Sequence, residues 1–195
     1  MFLRFILIIT IIINIPLHVF SMEPKDFVQL TVNKASEALT KNYMQEEKIN
    51  KLKDIASEAV DLKGLAFYTL GVHRKEITIE QKQEYIILFK EYFLKTFASR
   101  LAIYTDPKIT VDYQKRLNEK YTLVTSTLVA TDQRPEIKID WRVYTKNPKK
   151  PLIRDLVIEG VSLARAQKEE FNSIIQSNNG DINALFLKLT EFNNK

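Results

Sequence analysis

Residues 152–175 read LIRDLVIEGVSLARAQKEEFNSII, and the chain changes character once inside them, at Gly160. Up to Glu159 the residues alternate. Leu152, Leu156 and Ile158 share one face with Arg154, while Ile153 and Val157 share the other with Asp155 and Glu159. Period two in aliphatic and β-branched residues predicts a strand. Beyond Ser162 the apolar spacing is helical, through Leu163, Ala166, Phe171, Ile174 and Ile175, with no breaker before Asn178-Asn179-Gly180. A last strand therefore runs through a glycine into a helix. Both must close onto what the earlier chain has built, either a packed core or a cavity.

Upstream, three more strands are expected. Lys108 to Tyr113 is the first, Lys120 to Thr131 the second, and Glu136 to Thr145 the third. The third alternates most cleanly: Ile137, Ile139, Trp141 and Val143 inward, Lys138, Asp140 and Arg142 outward. Asp132-Gln133-Arg134-Pro135 and the segment Lys146 to Pro151 are turn chemistry of hairpin length. Links this short make sequential antiparallel neighbours. The reading is an α+β fold, with helices packed on a four-stranded antiparallel sheet.

The helices come mainly before the sheet. Pro24 suits a first helical position, and Phe27, Leu30, Ala35, Ala38 and Leu39 fall on one face. A second, more polar helix spans about Gln45 to Val60. A short apolar one follows from Asp61 to Gly71, with an acid at its start and a glycine at its end. Thr78 with Gln81 forms a capping box, and no Pro or Gly intervenes from there to Tyr104. That long helix is apolar over more than half its circumference, so it is buried on more than one side. Either it lies centrally in a core, or one of its sides faces a cavity lined by aromatic rings.

The first residues carry a different signal. Arg4 is the only charge before Glu23, and Phe5 to Phe20 is nearly all apolar. A charged start, an apolar run of about 16 residues and small residues near Ser21 describe a secretory signal, short of the ~20 residues that span a bilayer. We expect residues 1–21 to be this signal and residues 22–195 a single domain. An uncleaved membrane anchor is the alternative. Cleavage would lower the formal charge from +5 to +4, since Arg4 alone is lost. The 29 Lys and Arg are scattered among 24 Asp and Glu, which argues against a nucleic-acid groove. With no cysteine in the chain, catalytic thiols, disulfides and Cys-based metal sites are excluded.

Catalytic patterns are scarce. His73, beside Arg74 and Lys75, reads as a solvated basic loop, and no histidine pair stands at metal-binding spacing. Gly160-Val161-Ser162 lacks the flanking glycines of a nucleophile elbow. Four glycines in all supply no phosphate-cradling loop. Asp140 and Asp155 sit on neighbouring strands and could face each other, although carboxylates turned outward and paired with Arg142 or Arg154 are the simpler account. No catalytic residue, metal site or cofactor is expected. The protein reads as a non-enzyme.

Several residues carry a resemblance. Leu70-Gly71, Thr78 with Gln81, Tyr85, Phe89, Tyr92, Leu101 and Tyr104, then Asp155 with Glu159-Gly160-Val161-Ser162 and Glu170-Phe171, resemble the MlaC (toluene-tolerance) family over nearly all of the chain beyond the leader. The chain departs from the family where Pro151-Leu152-Ile153 stands in place of a frequent Trp. The resemblance implies a cone-shaped domain, related in form to nuclear-transport-factor-like folds, with an apolar cavity for acyl chains. It implies a periplasmic, monomeric phospholipid carrier with phospholipid as its cargo. Such a carrier works between an outer-membrane lipoprotein complex and an inner-membrane ABC transporter, maintaining outer-membrane lipid asymmetry. Under that reading Phe67, Leu70, Phe89, Phe93 and Phe97 form helix walls, and Ile139, Trp141 and Val143 a sheet wall beside Leu156 and Ile158. Val161 sits at the mouth. Plain core packing is the alternative for each residue. A hopanoid-related carrier, a small cavity enzyme using Asp140 or Asp155 as base, and an anchored interaction module are the other functions considered.

Overall fold

The computed structural model describes residues 21–195, so the expected leader lies, but for Ser21, outside the described residues. Three helices open the domain: α1 (Pro24–Thr40), α2 (Gln45–Ala59) and α3 (Leu62–Thr69). A 3₁₀ turn at His73–Lys75 leads to the long α4 (Ile79–Leu101). The sheet follows as β1 (Ile109–Asn118), β2 (Tyr121–Leu128), β3 (Ile137–Tyr144), β4 (Leu152–Ile158) and β5 (Val161–Ser162). Helices α5 (Leu163–Ser177) and α6 (Ile182–Asn193) end the chain. The strands lie in the order β1-β2-β3-β4-β5, all antiparallel. The α+β class holds, but the open sheet has five strands instead of four.

The fifth strand arises at Gly160. Glu159 and Gly160 have φ of +48° and +81°, the left-handed pair that turns a chain back on itself. The strand therefore does not run straight into the helix. It reverses for two residues, pairing Val161 with Ile158 and Ser162 with Val157, before α5 begins. A second irregularity overturns the strict alternation expected in β4. Arg142 pairs with Asp155 but Val143 pairs with Ile153, so one extra residue bulges from β4 between them. Ile153 and Leu156 consequently lie on the same face. β1 is also longer than the sequence pattern suggests, reaching Asn118 through a stretch of exposed, mostly polar residues.

Capping chemistry starts the helices where the sequence places it. Thr78 and Gln81 form the reciprocal box at α4. Asp61 accepts from the backbone N–H of Gly64 at α3, and Ser162 from that of Arg165 at α5. The close backbone neighbours of α4 are α2, α3 and α6, while α1 covers β1 and β2 and both α3 and α5 pack on β4. The core extends from these helices to the inner face of the sheet, taking in Tyr85, Phe89 and Phe171 with Val124, Trp141 and Val143. Phe171 of α5 enters the aromatic row of α4 edge-on, at 84° to Tyr85 and 90° to Phe89.

His73 is not solvated. It is 7% exposed, with Nδ1 3.1 Å from Glu76 Oε2 and Nε2 3.2 Å from Asn172 Oδ1. The ring therefore ties the turn after α3 to α5.

Candidate lipid-facing surface

Six of the eleven candidate side chains stand on one face of the sheet. Trp141 pairs with Leu156, Ile139 with Ile158, and Ile158 with Val161, so these residues form successive rows across β3, β4 and β5. Burial falls steadily along them. Val143 is fully buried and Trp141 nearly so, Ile139, Leu156 and Ile158 are half-buried, and Val161 is 58% exposed. Trp141 satisfies its indole N–H by donating to Ser126 Oγ at 2.7 Å, which lets the ring lie in apolar surroundings. β2 stays buried throughout its inner face, so the opening belongs to the β3–β4–β5 side.

Helix α4 shows the same gradient. Tyr85 and Phe89 are sealed, and burial pushes the Tyr85 phenol above its ordinary pKa, although Thr69 Oγ1 lies 2.8 Å from its oxygen. One and two turns on, Phe93 and Phe97 are only half-buried. The rings of Phe89, Phe93 and Phe97 form a stacked row at four-residue spacing, with centroids 6.0 and 5.4 Å apart. From Tyr92 to Phe97 no residue is exposed and none is fully buried, though these six positions point in every direction around the helix. The short link from Ala102 to Lys108 brings this end of α4 to the end of the sheet where β1 begins and β4 ends. The Phe89–Phe93–Phe97 row and the sheet rows thus lose their cover toward one end of the fold, while Ala98 and Ala102, on another side of α4, stay buried against α1 and α2.

Of the remaining candidates, Leu70 is buried in the core and Phe67 is half-buried on α3. No candidate lines either of two clefts found among the described residues. One, of about 370 Å³, lies between α5 and α6 and is bordered by Ser177, Leu187 and Lys188. The other, of about 410 Å³, is bordered by Arg74, Arg142, Arg154, Tyr68 and Tyr121.

Asp140 and Asp155, the two aspartates considered as bases, are both engaged. Asp155 lies on the side of the sheet that Arg142 occupies, as expected, but it is buried there, at 6% exposure. Its Oδ2 accepts from Ser162 Oγ at 2.7 Å and its Oδ1 from the Ala164 N–H at 3.0 Å, which makes it a cap for α5. Arg142 Nη1 approaches it only to 3.8 Å. Arg154, the other expected partner, pairs instead with Asp61 at 2.6 Å. Asp140 is half-buried, accepts from Thr125 Oγ1 at 2.5 Å and lies 3.5 Å from Lys138 Nζ. Neither carboxylate stands free as a base in an apolar space. Among the described residues no three His, Asp or Glu side chains are grouped to hold a metal ion, and no helix is long and apolar enough to cross a membrane.

No curated protein matches the sequence. A solved structure from Ralstonia solanacearum, a phospholipid-binding protein in complex with a phospholipid, superposes with a TM-score of 0.73 at 21% identity. The match covers 88% of this chain and 97% of that one. The family model for the MlaC protein matches residues 28–191, from the first buried residue of α1 almost to the end of α6. That span contains every strand, the full length of α4 and α5 and most of α6, and the chain belongs to the MlaC family.

Proposed function

We propose that this protein binds a phospholipid and carries it between membranes in the periplasm. The observation that carries this reading is the apolar surface that runs from sealed core to open edge, from Phe89 through Phe93 and Phe97 on α4 and from Val143 to Val161 on the sheet. Single exposed apolar residues are ordinary on a folded domain, but a continuous apolar surface leading out of the core marks a binding site. Here the apolar residues continue outward, as a site for acyl chains requires. Membership of the family and the bound phospholipid of the Ralstonia protein support the same reading.

Burying a ~16-carbon chain is worth on the order of 12 kcal/mol at ~0.8 kcal/mol per methylene. A lipid held this way does not escape into water on a useful timescale, so loading and release take place on docking partners. We assign those roles to an outer-membrane lipoprotein complex and an inner-membrane ABC transporter, with the leader directing export and the carrier itself performing no chemistry. The test is uptake of a fluorescent phospholipid from vesicles, followed by separation of protein from vesicles. The wild-type protein acquires the label, whereas Val161→Glu, exposed and therefore tolerated by the fold, does not. Equal uptake by the variant would remove Val161 from the mouth; no uptake by the wild-type protein would refute the carrier.

A further inference from the structure

The cleft of about 410 Å³ lies on the other side of the sheet from the apolar surface: Val143 faces the core, and its neighbour Arg142 faces the cleft. We propose that this cleft is an anion site that takes a phosphate group, gripped by Arg74 and Arg142.

Charge bookkeeping supports this choice. Asp155 is the one acidic residue lining the cleft; its charge offsets only one of Arg74 and Arg142 and leaves a net positive charge, with Arg154 balanced by Asp61. Arg154 is committed to Asp61, to the Tyr121 hydroxyl and to the face of Tyr144, so it acts as a fixed part of the wall. Arg74 and Arg142 are not spent in this way. Arg74 makes one long contact of 3.5 Å to the Phe67 carbonyl, and Arg142 has Asp155 only at 3.8 Å. Lys168 adds positive charge beside the rim, with Nζ 5.6 Å from the centre of the Tyr68 ring.

Two guanidinium groups with only long contacts to protein partners line this concave site, and a phosphate accepts paired N–H donors of this kind. Tyr68, Tyr121, Leu65 and Leu117 supply flat and apolar walls for whatever the phosphate is attached to. The phosphate can come from a lipid head group or from a soluble anion.

Titration of ¹⁵N-labelled protein, following the arginine Nε–H and backbone signals, tests the site. The probes are inorganic phosphate and dihexanoylphosphatidylglycerol below its micellar concentration. Saturable shifts at Arg74, Arg142 and Gly64 are expected, weakened about tenfold or more in Arg142→Gln and in Arg74→Gln. Lys146→Gln, in an exposed turn, should leave them unchanged. Saturation by inorganic phosphate, whether or not the protein holds lipid, identifies a soluble anion. A response to the lipid alone identifies a head group. If neither probe gives a saturable shift at these residues, or if both arginine variants bind as the wild type does, the site does not exist. That outcome leaves lipid carriage untouched, because the apolar surface is on the opposite face.

Discussion

Arg154 shows how one side chain can hold three elements. Its Nε and Nη2 reach Asp61 Oδ2, its Nη1 donates to the Tyr121 hydroxyl at 2.8 Å, and its guanidinium lies 3.6 Å over the Tyr144 ring. Burial works against its charge, but the Tyr121 hydroxyl and the Asp61 carboxylate outweigh it and raise its pKa. Asp61 uses its other oxygen to cap α3. Arg154→Ala should therefore cost about 2–3 kcal/mol in urea unfolding, because it leaves a half-buried carboxylate unpaired.

Tyr85 makes a pH prediction. Its phenol pKa is raised by burial, and Tyr92 is raised by burial and by the charge of Glu170. The unfolded chain loses these protons near pH 10 while the folded protein keeps them. Their contribution is thus fully present below pH 10 and lost as pH rises above it, by about 1.4 kcal/mol per pH unit for Tyr85, with Tyr92 adding in the same direction. Thermal melts between pH 8 and 11.5 should show this fall, and Tyr85→Phe should flatten it. An unchanged slope in the variant would assign the fall elsewhere.

Residue by residue, the sequence discloses what is local. The Thr78–Gln81 box and the Asp61 cap need only neighbours three residues away. The burial of His73 depends on Asn172, 99 residues later, and no short-range pattern carries that.

At the scale of elements, α5 is the closing piece. Phe171 is 1% exposed and touches the rings of Tyr85, Phe89 and Tyr92 at 5.7–6.5 Å. Phe171→Ala should destabilise the fold by about 3–5 kcal/mol, measured by denaturant unfolding. The turn before α5 is sensitive for a different reason. Gly160 has φ of +81° and nothing within 4 Å of where a Cβ would stand, so Gly160→Ala meets only backbone strain. A loss of about 1 kcal/mol is expected there.

Period and capping place α1 to α5 and strands β2 to β4 closely, and they catch only the first half of β1. They do not reveal the bulge in β4, since Arg154 and Asp155 are both polar and an inserted residue leaves no mark in the pattern. Nor do they reveal β5, which is two residues long and held by a turn whose geometry is set by Glu159 as much as by Gly160. Asp155 itself stays in register opposite Arg142, as alternation expects; what alternation does not carry is its burial, which comes from Ser162 and Ala164 brought over it by β5 and the start of α5.

For the whole molecule, the apolar excess of α4 was readable from composition, but not its gradient. The gradient depends on the sheet, whose outer rows end at Val161, and on the link that brings the end of α4 to the same side. Function on this account resides in an edge where the core is left open, and the direct measurement is native mass spectrometry of the freshly purified protein. The account predicts a mass increment of one or more phospholipids on most molecules, released on unfolding and identifiable by extraction. Protein that flies at its bare polypeptide mass, with no lipid recovered, would contradict it.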